Sequence, residues 1–518
     1  MLRTFQPIVA QPPAPATGAA AWVSHFLTLL ILFAWLAALA WVRPLSLPDE
    51  GRYVGVAWEM LWSGNWLVPT LDTLPYFHKP PLFYWGTAAA LAAFGVNEWA
   101  ARLVSLLAAT GSAFALYVFM LRWNAPTARA SLLVLATTPF FFGGAQFANM
   151  DMLVAACVTC CILCAADAVL AAENGRPRRL TLAASYVFAA LGVLAKGLVG
   201  VALPVLVIGV WLLLWARPGM LLRLIWLPGL ALFSLIALPW FVLMQMRYPE
   251  FLDYFFVNQH FQRYLTQGFN NPRPFWFYVP IFLLATVPWI GFVLATARDR
   301  DGSQMTRRDV LLLMWTWLAV TLVFFSIPAS KLIGYVLPAV PAFAVLVAHG
   351  VMRSTRENSS PFLSAPFFAL AAALICVALT IGFAIRERDG IGQLAKQIRP
   401  RLSTGDAIIA LRMYPFSVPF YLHRQGTIGV VEDWDQAWVL RKDTWRKELY
   451  DAVGFDPVRG KKLLITPREL EAALCSERTV WLFGPSDAVA SLPIVGSLER
   501  VAHNRGGAVW RRPGNSRC

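Results

Sequence analysis

The stretch AWVSHFLTLLILFAWLAALAWVRPLSLPDEGRY, residues 21–53, contains the two features that determine the architecture. Its first part, 21–42, is apolar and contains no Asp, Glu, Lys or Arg, over a length that lets an α-helix cross a bilayer. This run is too long for the core of a signal peptide and no clear cleavage site follows it, so it predicts an uncleaved first membrane span. Charged residues begin directly after it with Arg43 and continue with the pair Asp49-Glu50.

The overall composition agrees with an integral membrane protein. The chain has 518 residues, of which 58% are hydrophobic and 14% are charged, whereas soluble domains carry about 25% charged residues. This excludes a disordered chain, a secreted disulfide scaffold and an ordinary soluble enzyme. The last 133 residues, 386–518, hold 36 charged residues, and the 385 before them hold 37. We therefore predict a disordered N-terminus over 1–20, a membrane domain over 21–385 and a soluble domain over 386–518.

Ten further apolar runs have about the length of a span. They are 100–121, 128–144, 150–172, 180–196, 198–215, 224–244, 275–297, 310–327, 333–350 and 364–385. A shorter run, 81–95, is ambiguous. If it does not cross the membrane, thirteen arginines fall on one side, in five short loops: Arg122, Arg129, Arg176, Arg178, Arg179, Arg217, Arg223, Arg298, Arg300, Arg307, Arg308, Arg353 and Arg356.

This asymmetry follows the positive-inside rule and fixes the predicted topology. Eleven spans result, a count good to about two, with a cytoplasmic N-terminus and the segment 81–95 lying at the interface. Two long loops, 43–99 and 245–274, and the soluble domain then face the outside, which is the periplasm in a Gram-negative cell. The net charge of +15 is explained by the short arginine loops, so we predict no nucleic-acid partner.

The cysteines favour packing over metal binding. Cys157, Cys160, Cys161 and Cys164 lie on one helical face inside an apolar run, where a thiol packs as a small hydrophobe. The tail contains two more cysteines that could pair, Cys475 and Cys518, and the sequence does not decide whether they do.

Ionisable residues at membrane depth are costly and are therefore functional candidates. Here they collect at the outer ends of the predicted spans. Each has a simpler explanation alone: Asp49 and Glu50 could cap a helix running through Met60, and Lys79 could be a membrane anchor. Together they suit a site for a lipid phosphate, where cations neutralise the phosphate and a carboxylate orients or deprotonates an acceptor. The set is Asp49, Glu50, Arg52, His78, Lys79, Asp151, Lys196, His260, Arg263, Lys331 and Tyr335.

Several segments, in order and spacing, resemble the GT-C glycosyltransferases of the protein mannosyltransferase superfamily, and most of all the lipid A aminoarabinose transferases. The segments are PDEGRYVGVAWEM (48–60), YFHKPPLFYW (76–85), FGVNEWAARL (94–103), MDMLVA (150–155), AKG (195–197), LPW (238–240), FLDYFFVNQHFQRY (251–264) and SKLIGYVLPAVPA (330–342).

The resemblance implies an α-helical polytopic fold of about 11–13 spans with juxtamembrane helices in the first outer loop. A small periplasmic domain follows the last span, and its short apolar stretches 407–411, 462–465 and 479–483 predict an α/β fold. The implied reaction takes place in the bacterial inner membrane. It transfers a sugar from undecaprenyl phosphate to an acceptor and inverts the configuration at the anomeric carbon. The implied acceptor is lipid A or another envelope glycan, and membrane lipids surround the site.

The resemblance also implies roles for individual residues. Asp49 would be the principal catalytic carboxylate, assisted by Glu50 and Asp151. The donor phosphate would be held by Arg52, Lys79 and Arg263. The cavity and the acceptor would be contacted by Tyr53, Tyr76, Lys196, Lys331 and Tyr335.

Three departures from the family pattern fall where substrate binds. A Glu of that pattern is His78 here, a His is Gln259, and a Pro-Thr pair is Ile333-Gly334. In aminoarabinose transferases the Glu and a His share a metal ion, so here the metal-binding pair would be His78 and His260, which alone make an incomplete zinc site. No cofactor is firmly implied, and a divalent metal such as zinc stays open.

Two alternatives to aminoarabinose transfer remain. The departures leave open a related enzyme that moves a hexose or another sugar to a glycan, an envelope lipid or a protein. A transporter for a lipid-linked sugar is disfavoured, because its ionisable residues should lie near the membrane midplane rather than at the outer boundary.

Overall fold

The computed structural model describes residues 19–262, 271–297, 308–357, 365–436, 443–475, 477–491 and 498–514. It is mainly helical, with a small sheet near the C-terminus. The helices are α1 (Ala19–Ala37), α2 (Asp49–Ser63), α3 (Leu82–Phe94), α4 (Glu98–Leu121), α5 (Ala125–Thr137), α6 (Pro139–Ala145), α7 (Met150–Glu173), α8 (Arg179–Lys196), α9 (Val199–Leu214), α10 (Gly219–Leu224), α11 (Leu227–Arg247), α12 (Tyr278–Ala285), α13 (Gly291–Ala297), α14 (Arg308–Ser326), α15 (Val340–Glu357), α16 (Ala365–Glu387), α17 (Ile391–Ile398), α18 (Val418–Leu422), α19 (Trp445–Phe455), α20 (Pro457–Leu463) and α21 (Pro467–Leu474).

Shorter elements complete the described chain. A π-helix spans Asp253–Gln262, and 3₁₀ helices span Phe275–Phe277, Ile333–Ala339, Arg399–Arg401 and Ala488–Ser491. The strands are β1 (Thr70–Leu71), β2 (Leu74–Pro75), β3 (Ala407–Leu411), β4 (Gly429–Val431), β5 (Leu464–Ile465), β6 (Val480–Gly484), β7 (Glu499–Asn504) and β8 (Gly507–Arg512).

The predicted multi-span fold is confirmed. Within the described residues, seven helices are long and apolar enough to cross a membrane, and the bent pair α5–α6 makes an eighth. Four shorter apolar helices are also found among the described residues: α1, α3, α9 and the stretch Phe275–Ala285, which joins a 3₁₀ helix to α12. All of them except α3 coincide with the remaining predicted spans, and the total of eleven stays a prediction. The ambiguous run 81–95 forms the 13-residue helix α3, which is short for a span.

Two runs predicted as single continuous spans are interrupted. The run 128–144 bends by 65° between α5 and α6, where Pro139 begins the second helix. The run 275–297 is divided between α12, which ends at Ala285, and α13, which begins at Gly291 beyond Pro288. Proline lacks the amide that continues a helix and its ring clashes with the preceding turn, so both interruptions have a cause in the sequence.

The C-terminal region is the predicted α/β domain. Its six strands lie in the order β5-β4-β3-β6-β8-β7, with the first four parallel and β8 antiparallel to both neighbours. The predicted strands 407–411 and 479–483 correspond to β3 and β6. Of the predicted strand 462–465 only Leu464–Ile465 is strand β5, since Lys462 and Leu463 are the last residues of α20. Cys475 is disulfide-bonded, while Cys518 lies outside the described residues.

The two faces of this sheet pack against different partners, because successive side chains of a strand point to opposite faces. On one face, Ile408 of β3 belongs to a buried cluster that includes Val54 and Ala57 of α2. On the other face, Ile409 belongs to a cluster with Leu470 of α21. The first outer loop and the C-terminal domain therefore share a hydrophobic core, although more than 300 residues separate them in the chain.

Candidate active site

Two helices carry an aspartate in their first turn, and these aspartates belong to the same cluster of charged side chains. Asp49 is the first residue of α2, which lies in the first outer loop, and Asp151 is the second residue of α7. Burial raises the pKa of the Asp49 carboxyl above its ordinary value, Arg52 lowers it, Asp151 raises it further, and Lys196 and Lys79 lower it. The four other residues thus lie close enough to Asp49 for their charges to act on its carboxylate.

Asp151 is fixed by neighbouring side chains. Its carboxylate forms an ion pair with Lys196 and accepts a hydrogen bond of 3.1 Å from Asn149 Nδ2. Lys196 also lies 4.3 Å from the centre of the Tyr335 ring. Gly334 leaves room for this arrangement, since a Cβ atom there would approach Asp151 Oδ2 to 2.2 Å. The glycine that departs from the family pattern therefore adjoins a predicted catalytic carboxylate.

Asp49 differs because no hydrogen bond or ion pair to its carboxylate is formed by the described residues. The half-buried group is instead surrounded at longer range by charges of both signs. A carboxylate with a raised pKa and no fixed partner can accept a proton or orient an acceptor.

Arg52 lies one turn after Asp49, and the C-terminal domain contacts it directly. Its Nη1 donates to Glu448 Oε1 at 2.8 Å, and its guanidinium lies 4.8 Å from the Phe416 ring centre. Burial lowers the pKa of Arg52, but the charge of Glu448, with smaller contributions from Tyr76, Tyr53 and Asp49, raises it above its ordinary value. Among the described residues, the buried Nε of Arg52 finds no hydrogen-bond acceptor.

Three buried tyrosines line the space beside Arg52. They are Tyr53, Tyr76 and Tyr84. Burial raises the pKa of all three hydroxyls well above the ordinary value, so they stay protonated and can donate hydrogen bonds. The Tyr84 hydroxyl is buried and finds no partner within the described part of the chain. The sequence interpretation missed Tyr84, although it lies only five residues after Lys79 in the same quoted segment.

His78 is engaged by two tyrosines. Its Nε2 and the Tyr254 hydroxyl are 2.8 Å apart, and its ring stacks on Tyr76 with centroids 4.6 Å apart. No three His, Cys, Asp or Glu side chains come together as metal ligands within the described residues. His260 belongs to the π-helix, but its side chain lies outside the described residues. The described side chains therefore do not supply a complete metal site around His78, and the predicted His78–His260 pair stays untested.

Glu50 follows Asp49 directly but lies in a different environment. Its side chain is fully buried. Arg102 Nε donates a hydrogen bond to its carboxylate at 2.9 Å, and Arg43 Nη1 donates another at 2.5 Å. The backbone amides of Ser46 and Ala148 donate to it as well, each at 2.8 Å. Burial would raise the pKa of Glu50, but the two arginines outweigh burial and lower it to about 2. These bonds occupy both carboxylate oxygens with structural partners.

Two predicted residues remain, Lys331 and Arg263. Lys331 is buried, and its Nζ donates to the backbone carbonyl oxygens of Arg273 and Pro328. Its role at the acceptor stays a prediction. Arg263 lies outside the described residues.

The chain is similar to known proteins over much of its length. Residues 78–242 match the dolichyl-phosphate-mannose-protein mannosyltransferase family. A protein of Erwinia tasmaniensis named undecaprenyl phosphate-alpha-4-amino-4-deoxy-L-arabinose arabinosyl transferase is 31% identical over 365 residues, which cover 67% of this chain and 65% of that relative. A protein of Aeromonas salmonicida with the same name is 30% identical, over 68% of this chain and 66% of the relative. The chain thus spans slightly less than two thirds of these relatives.

The fold extends the similarity to nearly the whole chain. The crystal structure of ArnT from Cupriavidus metallidurans bound to undecaprenyl phosphate matches with a TM-score of 0.75 and 24% identity, covering 95% of this chain and 98% of that one. The apo structure of the same protein matches with a TM-score of 0.73 and 23% identity, covering 96% and 98%. The coverage means that the C-terminal α/β domain belongs to the shared fold.

Proposed function

Because the chain belongs to the protein mannosyltransferase family of GT-C proteins, we propose that it is an inverting glycosyltransferase that uses a sugar carried on undecaprenyl phosphate. We propose 4-amino-4-deoxy-L-arabinose as the sugar and a lipid A phosphate as the acceptor. The observation that carries this proposal is the cluster of Asp49, Asp151, Lys79, Lys196 and Arg52, in which the other four charges act on Asp49 and Asp151 forms an ion pair with Lys196. The names of the relatives support the choice of sugar.

The proposed reaction requires one displacement. An oxygen of the acceptor attacks the anomeric carbon, the bond from that carbon to the phosphate oxygen breaks, and undecaprenyl phosphate leaves with the bonding electrons. Attack from the opposite face inverts the configuration. We assign the phosphate to Lys79, Arg52 and Arg263, because cations stabilise the charge that the leaving group gains.

The carboxylates have separate proposed roles. Asp49 accepts the proton of a hydroxyl acceptor, or orients an acceptor phosphate that is already ionised. Asp151 holds Lys196 in the cavity, and Tyr53, Tyr76 and Tyr335 form the cavity wall. We assign Glu50 a structural role, since its oxygens are occupied by Arg43 and Arg102. No step is assigned to a metal.

Apolar cavities support a substrate with a lipid tail. A cavity of about 610 Å³ is lined by apolar residues that flank the Lys196 turn, including Val193 and Leu198, and by Phe241 and Phe256 near the π-helix. A second cavity, of about 700 Å³, lies between α3, α4, α7 and α8. Grooves of this kind suit isoprenoid or acyl chains beside a polar site.

We further propose that the protein lies in the inner membrane with the site and the C-terminal domain in the periplasm. The arginine-rich loops at the opposite ends of the spans support this orientation. The disulfide bond of Cys475 supports it independently, since disulfides persist on the oxidising side of the membrane.

The test is a mass spectrum of lipid A from host cells with and without the gene, in cells shown to make the donor. We expect a pentosamine increment on a phosphate when the gene is present. A hexose or hexosamine increment would support glycosyl transfer to lipid A but contradict aminoarabinose as the sugar. Unchanged lipid A would contradict the proposed acceptor, and analysis of envelope glycans and proteins from the same cells would then identify another one.

A further inference from the structure

Helix α19 of the C-terminal domain contacts both outer loops at once. Glu448, in its first turn, binds Arg52 of the first outer loop. Phe455, its last residue, packs against rings from both loops, with centroid distances of 4.9 Å to Phe77 and 5.3 Å to Tyr254. Tyr254 in turn contacts His78. One short helix thus contacts the elements that carry Arg52 and His78.

The contact with Arg52 is nearly dry. The side chains of Arg52 and Glu448 are 14% and 9% exposed. An ion pair with so little access to water holds its geometry, and removing one partner leaves the other charge poorly compensated. Phe416 covers the guanidinium at 4.8 Å, so the C-terminal domain supplies two of the groups that fix Arg52.

The backbones on the two sides of this contact also approach closely. A Cβ atom at Gly51 would lie 3.1 Å from the Ser417 amide nitrogen, and one at Gly55 would lie 3.3 Å from the Phe416 carbonyl oxygen. Helix α2 therefore packs directly on the C-terminal domain through Gly51 and Gly55. This close packing leaves α2, and Arg52 with it, little freedom to move.

The pairing leaves the Nε donor of Arg52 without an acceptor. Nη1 is bonded to Glu448, whereas the buried Nε lacks an acceptor among the described residues. A buried donor without an acceptor is costly, and a substrate oxygen would remove that cost. Glu448 fixes the guanidinium in the orientation that keeps this donor free.

We propose that Glu448 is a positioning residue for the donor phosphate, acting through Arg52, and that α19 braces the active site. This rests on the proposed function, because Arg52 must contact the donor. The separation of 396 residues between the two partners means that the soluble domain takes part in building the membrane site.

The test uses the full-length protein in lipid nanodiscs, with three variants. Glu448→Gln removes the charge at constant shape, Glu448→Asp restores the charge on a shorter side chain, and Glu471→Gln is the control on an exposed residue of α21. We expect Glu448→Gln to raise the donor KM, and the Kd for undecaprenyl phosphate, by about tenfold. It should lower kcat as well, because Arg52 stabilises the charge that the leaving phosphate gains. Glu448→Asp should recover part of the loss, and Glu471→Gln should match wild type.

Two results would overturn the proposal that Glu448 positions Arg52. One is a Glu448→Gln protein with wild-type KM and Kd. The other is a Glu448→Gln protein whose only change is a lower unfolding temperature, since that is a structural effect without positioning.

Failure of the proposed function is recognised separately. Wild-type protein that neither binds undecaprenyl phosphate nor transfers sugar would contradict that function. Hydrogen exchange of α2 then tests the brace alone: faster exchange in Glu448→Gln but not in Glu471→Gln supports it, and equal exchange in both overturns it.

Discussion

Asp151 in the first turn of α7 lies close enough to Asp49 in the first turn of α2 to raise its pKa, yet the two carboxylates are held in opposite ways. Asp151 is neutralised by Lys196 and bonded to Asn149. Asp49 has no bonded partner among the described residues, and its pKa is raised by burial in spite of its position at a helix N-terminus, where the helix dipole favours the charged form. The comparison shows how similar helix starts acquire different chemistry: local sequence supplies the carboxylate, and packing from distant elements determines its charge.

A second contrast lies within α2 itself. Asp49 and Glu50 are adjacent, and Glu50 points into a buried group of arginines that joins the first outer loop to α4. Consecutive helical residues are about 100° apart around the axis. One carboxylate can thus serve the site while its neighbour holds the helix that carries it.

The largest expected effect is on activity. Asp49→Asn should lower the transfer rate by about 10²–10⁴-fold with a hydroxyl acceptor, the range for losing a general base, and by less with an acceptor phosphate that Asp49 only orients. Asp151→Asn should cost less than Asp49→Asn, because Asp151 is already paired with Lys196. Initial rates of purified protein on donor and acceptor measure both. A fast Asp49→Asn enzyme, or an Asp151→Asn enzyme slower than it, would reverse the assigned roles.

The next effect is on stability. Glu50→Gln should destabilise the fold by about 3–5 kcal/mol, because Arg43 and Arg102 lose the charge that compensates them in a buried site. Thermal unfolding in detergent, monitored by size-exclusion chromatography, measures the loss of stability. Asp49→Asn is the matched control, one residue away, and should unfold at the wild-type temperature. Equal unfolding temperatures for all three proteins would contradict the structural role of Glu50.

The smallest effect is on pH dependence. Since the pKa of Asp49 is raised, the ionised form that accepts a proton is lost at a higher pH than for an ordinary Asp, and activity falls as pH decreases through that value. Asp151 raises this pKa and Lys196 lowers it. Asp151→Asn should therefore move the acid limb of kcat/KM to lower pH, and Lys196→Met should move it to higher pH, each by about one unit or less. Shifts in the same direction for both variants would show that the limb belongs to another group.

Much of the architecture was predictable from hydrophobic run lengths. The predicted run 150–172 is α7, Met150–Glu173, and the run 180–196 is α8, Arg179–Lys196. The runs 128–144 and 275–297 were wrongly predicted as single helices, although Pro139 and Pro288 are visible in them. Hydropathy treats a proline as a slightly less apolar residue, whereas in a helix it interrupts the hydrogen bonding.

The site was predictable as a set but not as an arrangement. The motifs identified Asp49, Asp151, Lys79, Lys196 and Arg52, which the structure brings together. They did not distinguish Asp49 from Glu50, because both are acidic residues at one helix start. They gave no signal for Glu448, which lies in a polar helix with the composition of an ordinary solvated surface.

The sequence by itself determined a helical membrane body and an α/β tail, because spans and strands are local patterns of apolar spacing, and it supplied the acidic and basic candidate residues. Only the tertiary structure decided which carboxylate is free, which is neutralised and which residue holds Arg52. Charge state and orientation depend on burial and on neighbours within a few ångströms. Those neighbours come from α4, α8 and the C-terminal domain, at separations of 45 to 396 residues along the chain.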